Sequence, residues 1–238
     1  MNAIAIVDGR ISDICERSLL RRGFYIIKLP PSKNLSTPIA SHPDMLIFKH
    51  DGELITSAEY CDEAAYVFTD MREFAPSVRI TFSAESQSPE YPKDAIFNAL
   101  VIGNNVFIKT DTASRSVIDY SRMTGLTIHH VNQGYPACTV LPLGDKSAIT
   151  ADEGMALAME KAGITVTRIR NGGISLPPYE YGFIGGAAGV YGKTVYFLGN
   201  PIFHPDGEKI IAAAEGAGFK SVALSDEPLS DLGRILFL

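Results

Sequence analysis

The sequence predicts an α/β fold in which five ββαβ units close into a ring. One unit, an apolar strand, a tight polar turn, a second apolar strand, a helix and a third strand, recurs along the chain. Its starts fall near residues 44, 98, 138, 186 and 231. Steps of roughly 40–55 residues lie in or near the range of repeat architectures. The fifth copy is split, with GRILFL at the C-terminus and NAIAIVDGRISDICERSLLRRGFYIIKL at the N-terminus. A repeat shared by both termini brings the ends together, so the array closes instead of stacking openly.

Each element follows from its local pattern. Residues 4–7 form a short strand of buried type. Residues 12–22 place Ile11, Ile14, Cys15 and Leu19 at helical spacing and stop at Gly23. A strand follows at 24–29, then a Pro- and Ser-rich loop at 30–43. The unit that begins at Asp44 reads DMLIFKH, DG, ELIT, a helical stretch and SVRITF; its helix, within 57–77, has the weakest pattern of the five. Residues 99–131 give the clearest copy: ALVIG, NN, VFIKT, a helix and LTIHHV. In the next copy, 138–169, the helix at 152–162 carries Asp152 and Glu153 early and Lys161 late, in the order the helix dipole favours, and Gly163 closes it. The copy at 187–224 repeats that plan with a helix at 206–217. Turns at Asp51-Gly52, Asn104-Asn105, Gly144-Asp145 and Gly192-Lys193 suit hairpins. A doubly wound sheet is the rival, because IAIVDG precedes a helix. No G-x-G-x-x-G follows that strand, and Asp8-Gly9-Arg10 is a poor phosphate loop.

Bulk properties narrow the function. A net charge of −6 and 20% charged residues suit a globular protein and argue against a nucleic-acid or anionic-membrane partner. The start, MNAIAIVDGR, lacks the basic and apolar regions of a signal peptide, and no apolar run reaches membrane-spanning length. Cys15, Cys61 and Cys138 have neither metal-like spacing nor an even count, so a cytoplasmic location is expected. The pattern implies one domain over 1–238 and no cofactor. A homodimer is the expectation only because symmetric dimers are common.

Three segments carry chemistry. Gly134-Tyr135-Pro136-Ala137-Cys138-Thr139 places a thiol at a strand start behind a glycine. His42-Pro43-Asp44 opens another unit, and Ile184-Gly185-Gly186-Ala187 a third. On these residues and on the repeat, the chain resembles the pentein superfamily, the guanidino-group-modifying fold. The Cys138 segment is similar to the nucleophile segment of agmatine and arginine deiminases, with Asn132-Gln133-Gly134 where they carry several glycines. His42-Pro43-Asp44 is similar to their His-x-Asp motif. Ile184-Gly185-Gly186-Ala187 lacks the acids of their Glu-Gly-Gly-Asp. Asp44 starts one unit and Cys138 the second after it, whereas in the deiminases the two motifs lie in adjacent units. The resemblance therefore implies a five-bladed α/β propeller and a branch distinct from the true deiminases.

The equivalent strand starts Asp44, Asn98, Cys138, Gly186 and Gly233 are expected to face one end of the ring. There Cys138 would be the nucleophile, His42 the acid/base and Asp44 the guanidinium anchor. Asn98 would hold a neutral substrate edge, and Gly134, Gly185 and Gly186 would admit a ligand close to the backbone. Tyr135, Tyr181 and Phe183 would complete the walls, around a small cationic guanidine or amidine. Each feature also has a plainer reading. Cys138 reads equally as a small buried hydrophobe, and Asp44 as an Asx turn. His204-Pro205-Asp206 reads as a helix cap. One of His129 and His130 points outward, and they lack a third metal ligand at suitable spacing. Cys15 reads as core, and the acids beside Cys61 raise its pKa. Arg168 and Arg170 share a strand face, where one serves a substrate carboxylate or both are solvated. The connection 171–181 is a lid or a linker. Two functions remain open: a thiol hydrolase or transferase acting on a guanidine, or a non-catalytic ring that binds a partner.

Overall fold

A computed structural model describes residues 3–238. Strand β1 (Ile4–Asp8) is buried along its whole length and leads to helix α1 (Asp13–Leu20) and parallel strand β2 (Tyr25–Leu29). Ser12 caps α1 by accepting from Cys15 N. Cys15 packs inward, whereas Ile14, placed on the apolar face by its spacing, is 48% exposed. The 30–43 loop contains a 3₁₀ turn (Thr37–Ile39) and ends in the short helix α2 (Pro43–Leu46), on which Asp44 sits.

Strands β3 (Phe48–His50) and β4 (Glu53–Ser57) form a hairpin. Asp51 (φ 41°) and Gly52 (φ 73°) both have positive φ, the signature of the two-residue turns whose twist matches the strands. The weak helical pattern of 57–77 forms two helices, α3 (Ala58–Glu63) and α4 (Ala65–Phe74), before strand β5 (Arg79–Ser83). The next copy is β6 (Leu100–Ile102), β7 (Asn105–Ile108), α5 (Arg115–Met123) and β8 (Thr127–His130). Its turn lies one residue earlier than the sequence indicates, at Gly103-Asn104, because Gly103 takes the positive φ of 55°.

The short helix α6 (Pro136–Thr139) holds Cys138 and opens the third copy: β9 (Val140–Pro142), β10 (Ser147–Thr150), α7 (Glu153–Lys161) and β11 (Thr165–Arg168). Asp152 caps α7 through Met155 N at 2.7 Å. A two-residue strand β12 (Ile174–Ser175) interrupts the 171–181 connection. The fourth copy runs β13 (Ala188–Tyr191), β14 (Thr194–Phe197), α8 (Gly207–Gly216) and β15 (Lys220–Ala223). Then β16 (Leu229–Ser230) pairs in parallel with β12, and β17 (Leu236–Phe237) pairs antiparallel with β1.

The result is an α/β structure of small sheets. Five three-stranded sheets share one plan: the first strand antiparallel to the second, the second parallel to the third. In the split copy β17 is the first strand, so the two ends of the chain complete one sheet. A parallel second pair requires a crossover, and the helix of each repeat supplies it. The centre-strand residues of β4 and β10 are almost all buried, whereas the third strand β5 is largely exposed. Apolar helix faces, such as Met155, Ala156 and Met159 of α7, are buried.

Candidate active site

The segments that lead into the five first strands are joined by a circuit of hydrogen bonds. Asp44 N donates to Gly233 O (3.0 Å), and Asn98 Nδ2 to Asp44 O (3.1 Å). Ala137 N donates to Asn98 Oδ1 (2.7 Å), and Gly186 N to Cys138 O (2.9 Å). Leu232 N (3.1 Å) and Arg234 N (2.8 Å) then donate to Gly186 O, which returns the circuit to the C-terminal segment. These are the positions the repeat places at equivalent strand starts.

Cys138 and His42 line one cavity of about 370 Å³, together with Asp231, Ile39, Met45, Tyr135, Leu176, Phe183 and the run Tyr179–Glu180–Tyr181. His42, Asp44, Cys138 and Asp231 are each no more than 4% exposed. Neither ring nitrogen of His42 and neither carboxylate oxygen of Asp44 has a hydrogen-bond partner among the described residues. Buried polar atoms of this kind are costly in a packed core and are common where a ligand completes the bonding.

His42 lies between two carboxylates, with Nε2 3.8 Å from Asp8 and Nδ1 4.0 Å from Asp231. Burial nevertheless holds its pKa down to about 4. Asp8, fully buried at the end of β1, accepts from Arg10 N (2.7 Å), Nε (2.9 Å) and Nη2 (2.6 Å). Asp231 accepts from Phe183 N (2.8 Å) and Gly233 N (3.0 Å). Burial and then the Asp44 charge nevertheless raise its pKa to about 7. Burial likewise lifts Asp44 to about 6, against the pull of neighbouring Cys138 and Arg234. The Cys138 thiol is pushed well above its ordinary range, by burial first and then by Asp44 and Asp231. These shifts favour a protonated Cys138 thiol and a neutral His42 imidazole, and they bring the titration of Asp44 and Asp231 close to neutrality.

Several residues have duties other than those their sequence context suggests. Asn98 spends its amide on Cys138 Sγ (3.1 Å), Asp44 O and Ala137 N, so it positions the thiol and has no edge left for a substrate. The room at the glycines belongs to the protein's own groups. A Cβ at Gly134 would meet the Tyr91 ring at 2.4 Å, at Gly185 the Val140 carbonyl at 2.3 Å, and at Gly186 Asp231 Oδ1 at 1.9 Å. Arg168 pairs with Glu153 and Glu160, and Arg170 with Asp206, so both are solvent-exposed strand-end charges held in surface ion pairs. Asp206 thus serves Arg170 and makes no side-chain cap on α8. Tyr135, Tyr181 and Phe183 do line the cavity, and the Tyr135 hydroxyl donates to Asp94 Oδ2 at 2.6 Å. His129 bonds Asn105 and His130 bonds Thr110. Burial, more than Asp62, raises the Cys61 pKa. Among the described residues no cluster of His, Cys, Asp and Glu could hold a metal ion, and no helix is long and apolar enough to cross a membrane.

Sequence reasoning missed Asp231, Asp8 and Arg234. Asp231 lay at the start of the fifth unit, two residues before Gly233, and Asp8 ended an otherwise apolar strand. Asp231 thus stands two residues before Gly233, as His42 stands two before Asp44.

The chain belongs to the family of unknown function DUF6873, whose model matches residues 6–236. No curated protein matches it in sequence. Solved structures do match in shape. SxtG, an amidinotransferase from Microseira wollei in the saxitoxin biosynthetic pathway, is 13% identical with a TM-score of 0.58, over 94% of this chain and 88% of that one. The DDAH of Pseudomonas aeruginosa, a cysteine-to-serine mutant complexed with citrulline, is also 13% identical with a TM-score of 0.58, over 94% and 91%. The inosamine-phosphate amidinotransferase StrB1 from Streptomyces griseus is 13% identical with a TM-score of 0.51, over 91% and 76%. At these identities the likeness shows the fold alone.

Proposed function

We propose that this chain is a cysteine-dependent enzyme acting on a guanidine or amidine, most simply as a hydrolase of a C–N bond and otherwise as an amidinotransferase. The five sheets would form one closed five-bladed α/β propeller, with the site where the first strands begin. The observation that carries this reading is that Cys138, His42 and Asp231 line one cavity, with Asp44 buried beside the thiol. The guanidino-modifying activities named for SxtG, DDAH and StrB1 agree with it.

The roles follow from charge. A planar cation seated against Asp231 and Asp44 would give Asp44 the N–H donors that its buried oxygens lack, and add its charge to an Asp231 already held by Phe183 N and Gly233 N. Its positive charge, placed against Cys138, reverses the field that keeps the thiol protonated. The thiolate attacks the central carbon and forms an S–C bond, its proton passing to His42. The leaving amine departs with that proton as the C–N bond breaks. His42 then takes a proton from water as water attacks the carbon, the S–C bond breaks, and the thiolate returns. In a transferase, an amine replaces the water. A non-catalytic ring is the second reading, favoured by the burial of Cys138 and the upward shift of its thiol pKa.

Alkylation by chloroacetamidine separates the two. Native protein is treated across about pH 6 to 9, with uncharged iodoacetamide as control, and the adduct is located by mass spectrometry. An enzyme site gives selective amidine labelling of Cys138 below the ordinary thiol pKa, and Cys138→Ala loses both the label and any turnover of a guanidine panel. A Cys138 that stays inert until denaturation, or a Cys138→Ala variant indistinguishable from wild type, overturns the reading.

A further inference from the structure

A second group of charges lies where the first strands end. Lys49, in β3, and Arg234, just before β17, line a cavity of about 140 Å³ there. All the other residues that line it, from β9, β13 and the chain around β17, are apolar or glycine, and none is an acid. This sets the pair apart from other cations that border cavities. Arg10, Lys28, Lys33 and Arg170 each lie within 3.9 Å of a carboxylate. Among the described residues Lys49 and Arg234 form no ion pair, and carboxylates act on them only from farther away, Asp51 on Lys49 and Asp44 on Arg234.

The donors of the pair are largely unused. Arg234 commits Nη2 to Ala137 O (3.0 Å) and Val140 O (2.8 Å). Its Nε and Nη1, and the Lys49 ammonium, have no hydrogen-bond partner among the described residues. Both side chains are partly buried, and like charges beside apolar walls repel: burial first, and then Arg234, lowers the Lys49 pKa. An anion between them turns that repulsion into attraction and takes the idle donors as charge-assisted hydrogen bonds, the planar guanidinium offering the fork that an oxyanion fits. The volume limits what can enter. At about 140 Å³ the cavity falls well below the about 300–1,000 Å³ that encloses a drug-sized ligand.

We infer that Lys49 and Arg234 form a binding site for a small oxyanion, either a free inorganic ion such as phosphate or the terminal phosphate of a larger molecule. The site stands independently of the guanidine reading, because neither Cys138 nor His42 lines it. Its occupant rests against the guanidinium that braces the chain on either side of Cys138.

Equilibrium dialysis of the native protein against radiolabelled phosphate, in a zwitterionic buffer of low salt, tests it. The expected result is a single saturable site per chain, displaced by sulfate. Phosphate at ten times its dissociation constant should raise Tm by about 3–6 °C. Lys49→Met should weaken binding about tenfold, the scale of one hydrogen bond to a charged group, and Lys49→Glu should abolish both the binding and the rise in Tm. Melts without phosphate show that each variant is folded. Lys33→Met, which alters an exposed lysine at a different cavity, should bind phosphate as wild type does. Displacement by phenyl phosphate as well as sulfate identifies the terminal phosphate of a larger molecule as the occupant, and displacement by sulfate alone identifies the free ion. Absence of saturable binding overturns the inference. So does binding that survives in Lys49→Glu, or that Lys33→Met weakens as much as Lys49→Met.

Discussion

The two ends of the first strands have opposite electrostatic character. Where these strands begin, Asp44 and Asp231 gather around Cys138, and a cavity of about 370 Å³ opens above them. Where they end, Lys49 and Arg234 line a cavity of about 140 Å³ with Leu141, Pro142, Gly189 and Phe237. Arg234 belongs to both ends. Its Nη2 donates to Ala137 O (3.0 Å) and Val140 O (2.8 Å), on either side of Cys138, and its charge acts on Asp44. It holds a φ of 72°, unusual for a residue with a side chain, to reach that position. The comparison teaches that the Asp44 carboxylate is tolerated in the core because a guanidinium of the chain partly balances it from behind.

Removing that balance is expected to have the largest effect. Arg234→Met strips two buried carbonyls of a donor and leaves Asp44 without its cation, at a cost of about 3–5 kcal/mol, read as a lowered Tm; Arg234→Lys recovers part of the loss. A variant as stable as wild type would show that the two ends are independent. Gly186→Ala comes next, because its Cβ would stand 1.9 Å from Asp231 Oδ1. We expect about 1–3 kcal/mol of destabilisation from overpacking, together with loss of selective amidine labelling at Cys138. Labelling that persists unchanged would remove Asp231 from the site.

A gentler probe is pH. Asp231 keeps its proton in the folded chain up to about pH 7, whereas an unfolded carboxyl loses it near about pH 4. The folded state binds the extra proton in that window, so stability falls as pH rises through it. Asp44, raised to about 6, slopes the same way over a narrower range. His42, held down to about 4, slopes the opposite way until its unfolded pKa of about 6.5 is passed. Between about pH 6.5 and 8, thermal melts of wild type should therefore decline, and those of Asp231→Asn should stay flat. Parallel curves would mean that Asp231 is already ionised below that range. The smallest effect is expected at the other end. Lys49→Met relieves burial and the repulsion from Arg234, so Tm should change by no more than about 0.5 kcal/mol equivalent and Cys138 labelling should not change. A large loss of labelling would show that the cationic end is coupled to the site through more than Arg234.

The repeat itself was legible in the sequence. Two-residue turns such as Asp51-Gly52, strand-length apolar runs and helix-stop glycines are local signals, set by φ/ψ sterics and hydrophobic period; the turns recur in the four unsplit copies and the glycines after every repeat helix but those of 58–74. The strand starts Asp44, Asn98, Cys138, Gly186 and Gly233 followed from counting repeats, and the hydrogen-bond circuit runs through all five. Where the local signal was weak, as at 57–77, helices formed because tertiary burial of Val67, Phe68 and Met71 outweighs propensity.

By itself, then, the sequence determined the repeated element order and the joining of the two termini, because both depend on interactions within one unit and on its period. Only the tertiary structure decided what each polar group at the strand starts faces. Asn98 bonds the thiol instead of standing free for a ligand, Gly186 makes room for Asp231, and Arg234 braces Cys138 from behind. Those contacts join residues far apart in the chain, and their energies come from burial and from charges several ångströms apart, neither of which leaves a periodic trace in the sequence.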